Sequence, residues 1–245
     1  MARFFVAATN IFGGVACLGA KEAAHLRALR IRRGEHFTVC DGQGTDYICR
    51  LRHIHDEGAE AEIVSAEPSR GEPSVDVTVF AAFSKGDKLE TTVQKSVELG
   101  ASSIVVFPAA RCVSRPSAAS MITKTARLQK ISEEAAKQSH RGKVPGVTVS
   151  PSFEHAVKAA AACDLALFLY ENEKEGDIRS ILRSKTGIRT VAIMAGPEGG
   201  FEPHEADLAE RHGMRKTGLG PRILRCETAP LAALAAVMYE TDNLK

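Results

Sequence analysis

Tryptophan is absent from the 245-residue chain, and aromatic residues make up only 5% of it. A protein that holds single strands on a long row of stacked rings needs more than this, so an extended stacking platform is excluded. No window approaches the 18 apolar residues of a transmembrane helix. The start, Met1-Ala2-Arg3-Phe4-Phe5, lacks the apolar run and small-residue cleavage site of a secretory signal, so a cytosolic location is expected. The six cysteines (Cys17, Cys40, Cys49, Cys112, Cys163 and Cys226) include no C-x-x-C pair, which argues against zinc and for reduced, buried thiols. No metal is expected. A formal net charge of +2 is too small to announce a nucleic-acid binder, so any such role must rest on how charge is distributed.

What is present is an ordinary globular balance, 44% apolar and 25% charged. A core of this size needs no disulfide or metal to hold it. Pro, Gly, Ser and charge interrupt the apolar pattern at Glu67-Pro68-Ser69-Arg70-Gly71-Glu72-Pro73-Ser74, which reads as a linker. Before it, Phe37–Cys40 and Asp46–Leu51 flank the turn Asp41-Gly42-Gln43-Gly44 as a hairpin would, and 61–64 offers a further strand. A small β-rich domain, a barrel with one helix near 21–30, is expected there. After it, apolar runs at 75–80, 104–107, 165–170 and 190–195 alternate with helical spacing. Leu89, Val93 and Val97 mark one helix, and 120–140, 203–212 and 226–240 mark others. Strands separated by helices predict a mainly parallel α/β sheet.

Ligands of such sheets bind beyond the carboxyl ends of strands. Three loops qualify, following Tyr170, Ala195 and Gly218. The second, Gly196-Pro197-Glu198-Gly199-Gly200-Phe201, lets a ligand approach main-chain amides, and Pro203 suits the first turn of the helix beyond it. It is neither the dinucleotide fingerprint G-x-G-x-x-G nor a phosphate loop ending in Gly-Lys-Ser/Thr. The third, Leu219-Gly220-Pro221-Arg222-Ile223-Leu224-Arg225-Cys226-Glu227-Thr228-Ala229, packs two arginines, a glutamate and a threonine into one short turn. A loop that merely connects has no need of that density.

These two loops resemble the signature segments of the RsmE family, the 16S ribosomal RNA (uracil-N3)-methyltransferases of the SPOUT superfamily. Gln94-Lys95-Ser96-Val97-Glu98-Leu99-Gly100, and Glu134-Ala135-Ala136-Lys137-Gln138-Ser139-His140-Arg141 before Pro145, extend the resemblance. His25-Leu26 with Leu29-Arg30, and Asp41-Gly42 with Gly44, carry it into the first domain. Pro221 and Cys226 stand at positions where variation is expected. The resemblance implies a PUA-like β-barrel over residues 1–70 that binds RNA, and a SPOUT methyltransferase domain over 74–245 with a mainly parallel sheet and a trefoil knot. It implies a homodimer with no membrane role, acting on 16S rRNA in the small ribosomal subunit with S-adenosyl-L-methionine as cofactor. Carried over residue by residue, Leu169, Tyr170 and Glu171 line one wall of the cofactor site. Gly196, Pro197, Glu198, Gly199 and Gly200 cradle the cofactor, and Leu219, Gly220, Ile223, Leu224, Thr228 and Ala229 enclose its adenine end.

Methylating a uracil ring nitrogen requires alignment with the methyl donor, loss of the imide proton and stabilisation of charge on the ring oxygens. Arg225 is the candidate donor to a ring oxygen, with Arg222 second. Glu227 is the nearest carboxylate, although a Glu opening a helix usually caps it. RNA needs cations: Arg27 and Arg30, beside Arg32 and Arg33, are the candidates in the first domain. Lys85, Lys88, Arg111, Arg115, Lys124, Arg127, Lys130, Arg141 and Lys143 are candidates in the second, where Glu134, Gln138 and Arg141 share a face if the helix runs on.

Overall fold

The protein is described here by a computed structural model covering residues 2–113, 117–173 and 176–244. The chain forms two compact units. The first runs up to Glu72 and takes back Ala136–Val144; the second comprises Pro73–Ala135 and the chain from Pro145 on. A single boundary in sequence therefore does not divide the molecule.

The first unit holds β1 (Arg3–Phe5), β2 (Ile11–Phe12), β3 (Val15–Gly19), α1 (Ala20–Ala28), β4 (His36–Cys40), β5 (Thr45–His55) and β6 (Gly58–Pro68). They form one sheet in the order β1-β4-β5-β6-β3-β2, antiparallel except between β1 and β4. Among the described residues no ladder joins β1 to β2. The β4–β5 turn forms because Asp41 Oδ1 accepts from the Gln43 and Thr45 amides at 2.7 and 3.1 Å, with Gly42 and Gly44 at positive φ. Alternating side chains put Phe37, Val39, Cys49, Leu51, Ala59 and Ala61 into a core with Phe4 and Leu26.

The expected linker is structural. β6 runs to Pro68, the Ser69 hydroxyl donates to Asp46, and Glu72 accepts from Arg141 at 2.8–2.9 Å and from the Gly142 and Lys143 amides at 2.8 and 3.0 Å.

The second unit follows with β7 (Asp76–Ala82), α2 (Lys88–Glu98), β8 (Ser103–Phe107), α3 (Ala118–Gln138), β9 (Gly146–Val149), α4 (Phe153–Ala161), β10 (Leu165–Leu169), α5 (Ile178–Arg183), β11 (Thr190–Ala195), α6 (Pro203–Arg211), β12 (Arg215–Thr217) and α7 (Thr228–Glu240). All six strands are parallel, in the order β12-β10-β11-β7-β8-β9. The helices α2, α5 and α7 pack together on one side, with α2 and α7 on β7, while α4 packs on β7, β8, β10 and β11 and meets α6. Covered on both faces, the central strands must be apolar throughout, and every residue of β10 is buried. Val77, Val79, Leu167, Val191, Ile193, Leu234 and Val237 form the main core. Parallel strands place every carboxyl end on one edge, and that geometry positions the site.

The helix expected over 120–140 stops at Gln138; His140 takes the left-handed conformation (φ 59°) and Arg141 lies beyond the helix. The expected common face of Glu134, Gln138 and Arg141 is thereby lost. Among the described residues no helix is long and apolar enough to cross a membrane.

Candidate active site

The loops after β10, β11 and β12 converge on a pocket of about 490 Å³. Leu169, Tyr170 and Glu171 come from the first loop, and Gly196 to Gly200 from the second. Leu219, Gly220, Arg222, Ile223, Leu224, Arg225, Glu227 and Ala229 come from the third. Thr228, expected beside them, opens α7 with an exposed side chain and does not line the pocket. Leu169 is both wall and core, at 7% exposure. Tyr170 donates its amide to the Thr217 carbonyl at 3.1 Å and Gly218 donates to Gly176 at 2.9 Å, which ties the first loop to the third.

The glycine-rich loop is shaped by crowding. A Cβ on Gly196 would sit 3.1 Å from the Phe201 ring and one on Gly199 3.1 Å from Arg111, while Gly200 has φ +67°. Glu202 and Glu205 form a reciprocal capping box that starts α6, with Pro203 in its first turn. Glu205 is buried and also accepts from the Ala110 amide at 2.9 Å. Arg111 closes the arrangement. It donates to the two Glu202 carboxylate oxygens at 2.8 and 3.2 Å and to the Gly199 carbonyl at 2.9 Å. This pairing raises the guanidinium's pKa and lowers that of Glu202, so Arg111, expected to meet RNA, is committed to holding the loop.

In the third loop the Arg225 carbonyl accepts from the Thr228 and Ala229 amides at 2.8 and 2.9 Å, which sets the start of α7 and the place of Arg225. Arg222 and Arg225 are both exposed and both line the pocket, and Ile223 between them is 87% exposed. Glu227 occupies the N-cap position but its side chain makes no capping bond. Its carboxylate borders the pocket and accepts from the Cys226 thiol at 3.3 Å, contrary to the capping role expected of it. Burial first, then Glu227 and Glu198, push that thiol up to about 11, so it stays protonated at neutral pH.

One wall of the pocket comes from a residue that sequence marks only as one of the second domain's cations. Lys88, in the first turn of α2, reaches the pocket and donates to Glu198 Oε1 at 3.0 Å, and the Lys85 amide donates to the same oxygen at 2.9 Å. Burial raises the Glu198 carboxyl, but hydrogen bonds from the Lys85 amide, its own amide and Lys88 outweigh it and hold the group below the ordinary carboxylate value. The only sequence signal was the charged run Lys85-Gly86-Asp87-Lys88 before a helix, which is what most solvated helix starts look like.

The first unit carries the remaining predicted cations. Arg27 is exposed and pairs with Asp56 at 3.0 Å, and Arg30 stands exposed in the left-handed conformation just past α1. Arg141 is only 2% exposed and forms a buried ion pair with Glu72, so it cannot be an RNA contact. Arg115 lies outside the described residues. Among the described residues no group of three or more His, Cys, Asp or Glu side chains is arranged to hold a metal ion.

A wholly parallel α/β unit with a loop-built pocket at its carboxyl edge has the arrangement in which such sheets bind small ligands. Residues 71–238 match the RNA methyltransferase domain family and residues 18–64 the RNA methyltransferase PUA domain. The chain is 34% identical to the ribosomal RNA small subunit methyltransferase E of Bacillus subtilis, over 92% of this chain and 90% of that one. It is also similar to the crystal structure of that enzyme from Neisseria gonorrhoeae bound to S-adenosyl methionine, at 32% identity, 97% coverage of each chain and a TM-score of 0.85. A methyltransferase of Legionella pneumophila in complex with the same cofactor superposes with a TM-score of 0.85 at 26% identity, over 98% of this chain and 97% of that one. The chain belongs to the ribosomal RNA small subunit methyltransferase E family.

Proposed function

We propose that the protein transfers a methyl group from S-adenosyl-L-methionine to N3 of a uridine in small-subunit (16S) ribosomal RNA. The observation that carries this reading is the convergence of three loops, each at the carboxyl end of a parallel strand, on one pocket. At about 490 Å³ the pocket falls within the usual range for a small-molecule site, roughly 300–1,000 Å³. Leu219, Ile223 and Leu224 offer apolar wall for an adenine, and Gly200 permits close approach to the backbone. Glu171 and Glu198 offer carboxylates to a cationic ligand. When bound, S-adenosylmethionine supplies an electrophilic methyl group.

The chain's own part is alignment and charge. Arg225, presented by the turn its own carbonyl fixes, donates to a uracil oxygen and stabilises the negative charge that develops as the imide proton leaves. Arg222 is the second donor. Glu227, whose carboxylate makes no capping bond, accepts the proton. Arg27 and Arg30 of the first unit bind RNA phosphates. The same reading assigns residues 1–70 to a PUA-like barrel domain and 74–245 to a SPOUT domain with a trefoil knot. It also takes in a homodimer and a cytoplasmic location. For the homodimer, support comes from α7, where Leu231, Ala232, Ala235 and Tyr239 leave a partly exposed apolar stripe, with Tyr239 71% exposed.

The test uses labelled S-adenosylmethionine with small ribosomal subunits from cells that lack this activity, alongside free ribosomal RNA and tRNA. Digestion and mass spectrometry should find 3-methyluridine in small-subunit RNA. Label on ribose or in tRNA would overturn the substrate, and a protein that fails to bind the cofactor would overturn the whole reading.

A further inference from the structure

A second cleft, of about 960 Å³, opens along the same carboxyl edge of the sheet, where the chain leaves β7, β8 and β9 and passes beneath α3. Its lining includes Phe83, Pro108, Met121, Ile122, Val149 and Pro151 and no charged side chain at all. Ile122 projects into it at 75% exposure, an unusual place for a large aliphatic residue. β8 lies two strands from β11, so the cleft is about 10 Å along the edge from the glycine-rich loop.

The stretch of sequence that supplies most of its lining carries charge of one sign. From Ser103 to Ser132 the chain carries Arg111, Arg115, Lys124, Arg127 and Lys130 and not one Asp or Glu. Arg111 and Arg127 are paired with Glu202 and Glu90. Lys124 lies over the Phe83 ring at 5.8 Å from its centroid. Lys130 is exposed and follows Ile122 and Ala126 at four-residue spacing, so it extends the same helical face. An apolar slot with cations on its helical wall is the complement of a nucleotide, which is apolar on its base faces and anionic at its phosphate.

We infer that this cleft takes one nucleobase of the RNA strand flanking the target uridine, with Lys124 and Lys130 on the adjoining phosphates. The inference rests on the reading that the protein acts on RNA. It assigns recognition of the neighbouring nucleotide to a part of the methyltransferase unit that takes no part in the cofactor pocket.

The test is Ile122→Glu in the full-length protein, an exposed substitution that puts a carboxylate where the base would sit. Binding of a fluorescent single-stranded fragment of small-subunit RNA carrying the target uridine should weaken roughly tenfold, the scale of losing one stacked base. Cofactor affinity by calorimetry and sedimentation behaviour should not change. A companion fragment with an abasic site beside the target should bind the wild type as poorly as the intact fragment binds the variant, and should gain no further penalty with the variant. Unchanged binding by Ile122→Glu, in a wild type that does methylate the RNA, overturns this inference alone. A variant whose oligomeric state shifts would show a second copy of the chain covering the cleft, and also overturns it. A wild type that neither binds nor methylates the RNA overturns the functional reading as well.

Discussion

Two pairs of arginines, one pair in each unit, are used in opposite ways. In the first, Arg3 and Arg141 are sunk to 8% and 3% side-chain exposure against Asp46 and Glu72, carboxylates 43 and 69 residues away in sequence. In the second, Arg222 and Arg225 stand exposed on a short loop at the pocket mouth. A guanidinium already matched by a buried carboxylate has nothing to offer a substrate; one held in place by its backbone alone does. Cation count is therefore a poor guide to an RNA or catalytic surface, and partner geometry is a better one.

Removing a member of the buried set should do most damage. Arg141→Met leaves the Glu72 carboxylate half-enclosed without its partner, and breaking such a pair costs about 3–5 kcal/mol. Urea unfolding should show the loss in the first unit, with cofactor binding by the second retained at low denaturant; a variant as stable as wild type would erase the contrast. Arg225→Ala is the opposite case. Stability and cofactor affinity should hold while kcat falls about 100-fold or more, the scale of one lost preorganised donor. If Arg222→Ala shows that fall and Arg225→Ala does not, the two exchange roles. Gly200→Ala should come next. It forces a side chain into a backbone at φ +67° and sets a Cβ 2.1 Å from Glu171 Oε1, at a cost of about 1–2 kcal/mol from the backbone alone. Calorimetry should show this as weakened cofactor binding with little effect on kcat at saturation.

The same contrast explains what could be read from sequence. The parallel sheet was legible because strands covered on both faces must be apolar runs, as 165–169 and 190–195 are. The pocket was legible because glycine and charge were concentrated where such sheets bind ligands, and its loops lie within 169–229. Arg141 was misread because helical spacing assumes the helix continues, whereas His140 turns the chain back toward Glu72, 69 residues earlier. Arg111 was read as an RNA contact alone, without its hold on the glycine-rich loop, because its partner Glu202 lies 91 residues on. Pairings at that separation leave no local pattern.

Lys88 and Glu198, 110 residues apart, sit between the two cases, being partly exposed yet bonded, and so give the smallest effect. Lys88→Met should weaken cofactor binding only about two- to fivefold, the range of an exposed pair, with kcat unchanged. The pH dependence sharpens this. The Glu198 carboxyl is depressed, so its ionised contribution is complete above the ordinary carboxylate value and is lost only as pH falls through the lower folded value. Without Lys88 one of the bonds that hold it down is gone, and its titration should move upward while the Lys85 amide keeps it partly depressed. Cofactor affinity measured by calorimetry from pH 7 down to 4 should therefore begin to fall at a higher pH in Lys88→Met than in wild type, and Lys88→Arg should restore the lower onset. Identical onsets in all three would mean that Glu198 is held by backbone amides alone, and that the ion pair belongs with the solvated charges rather than with the site.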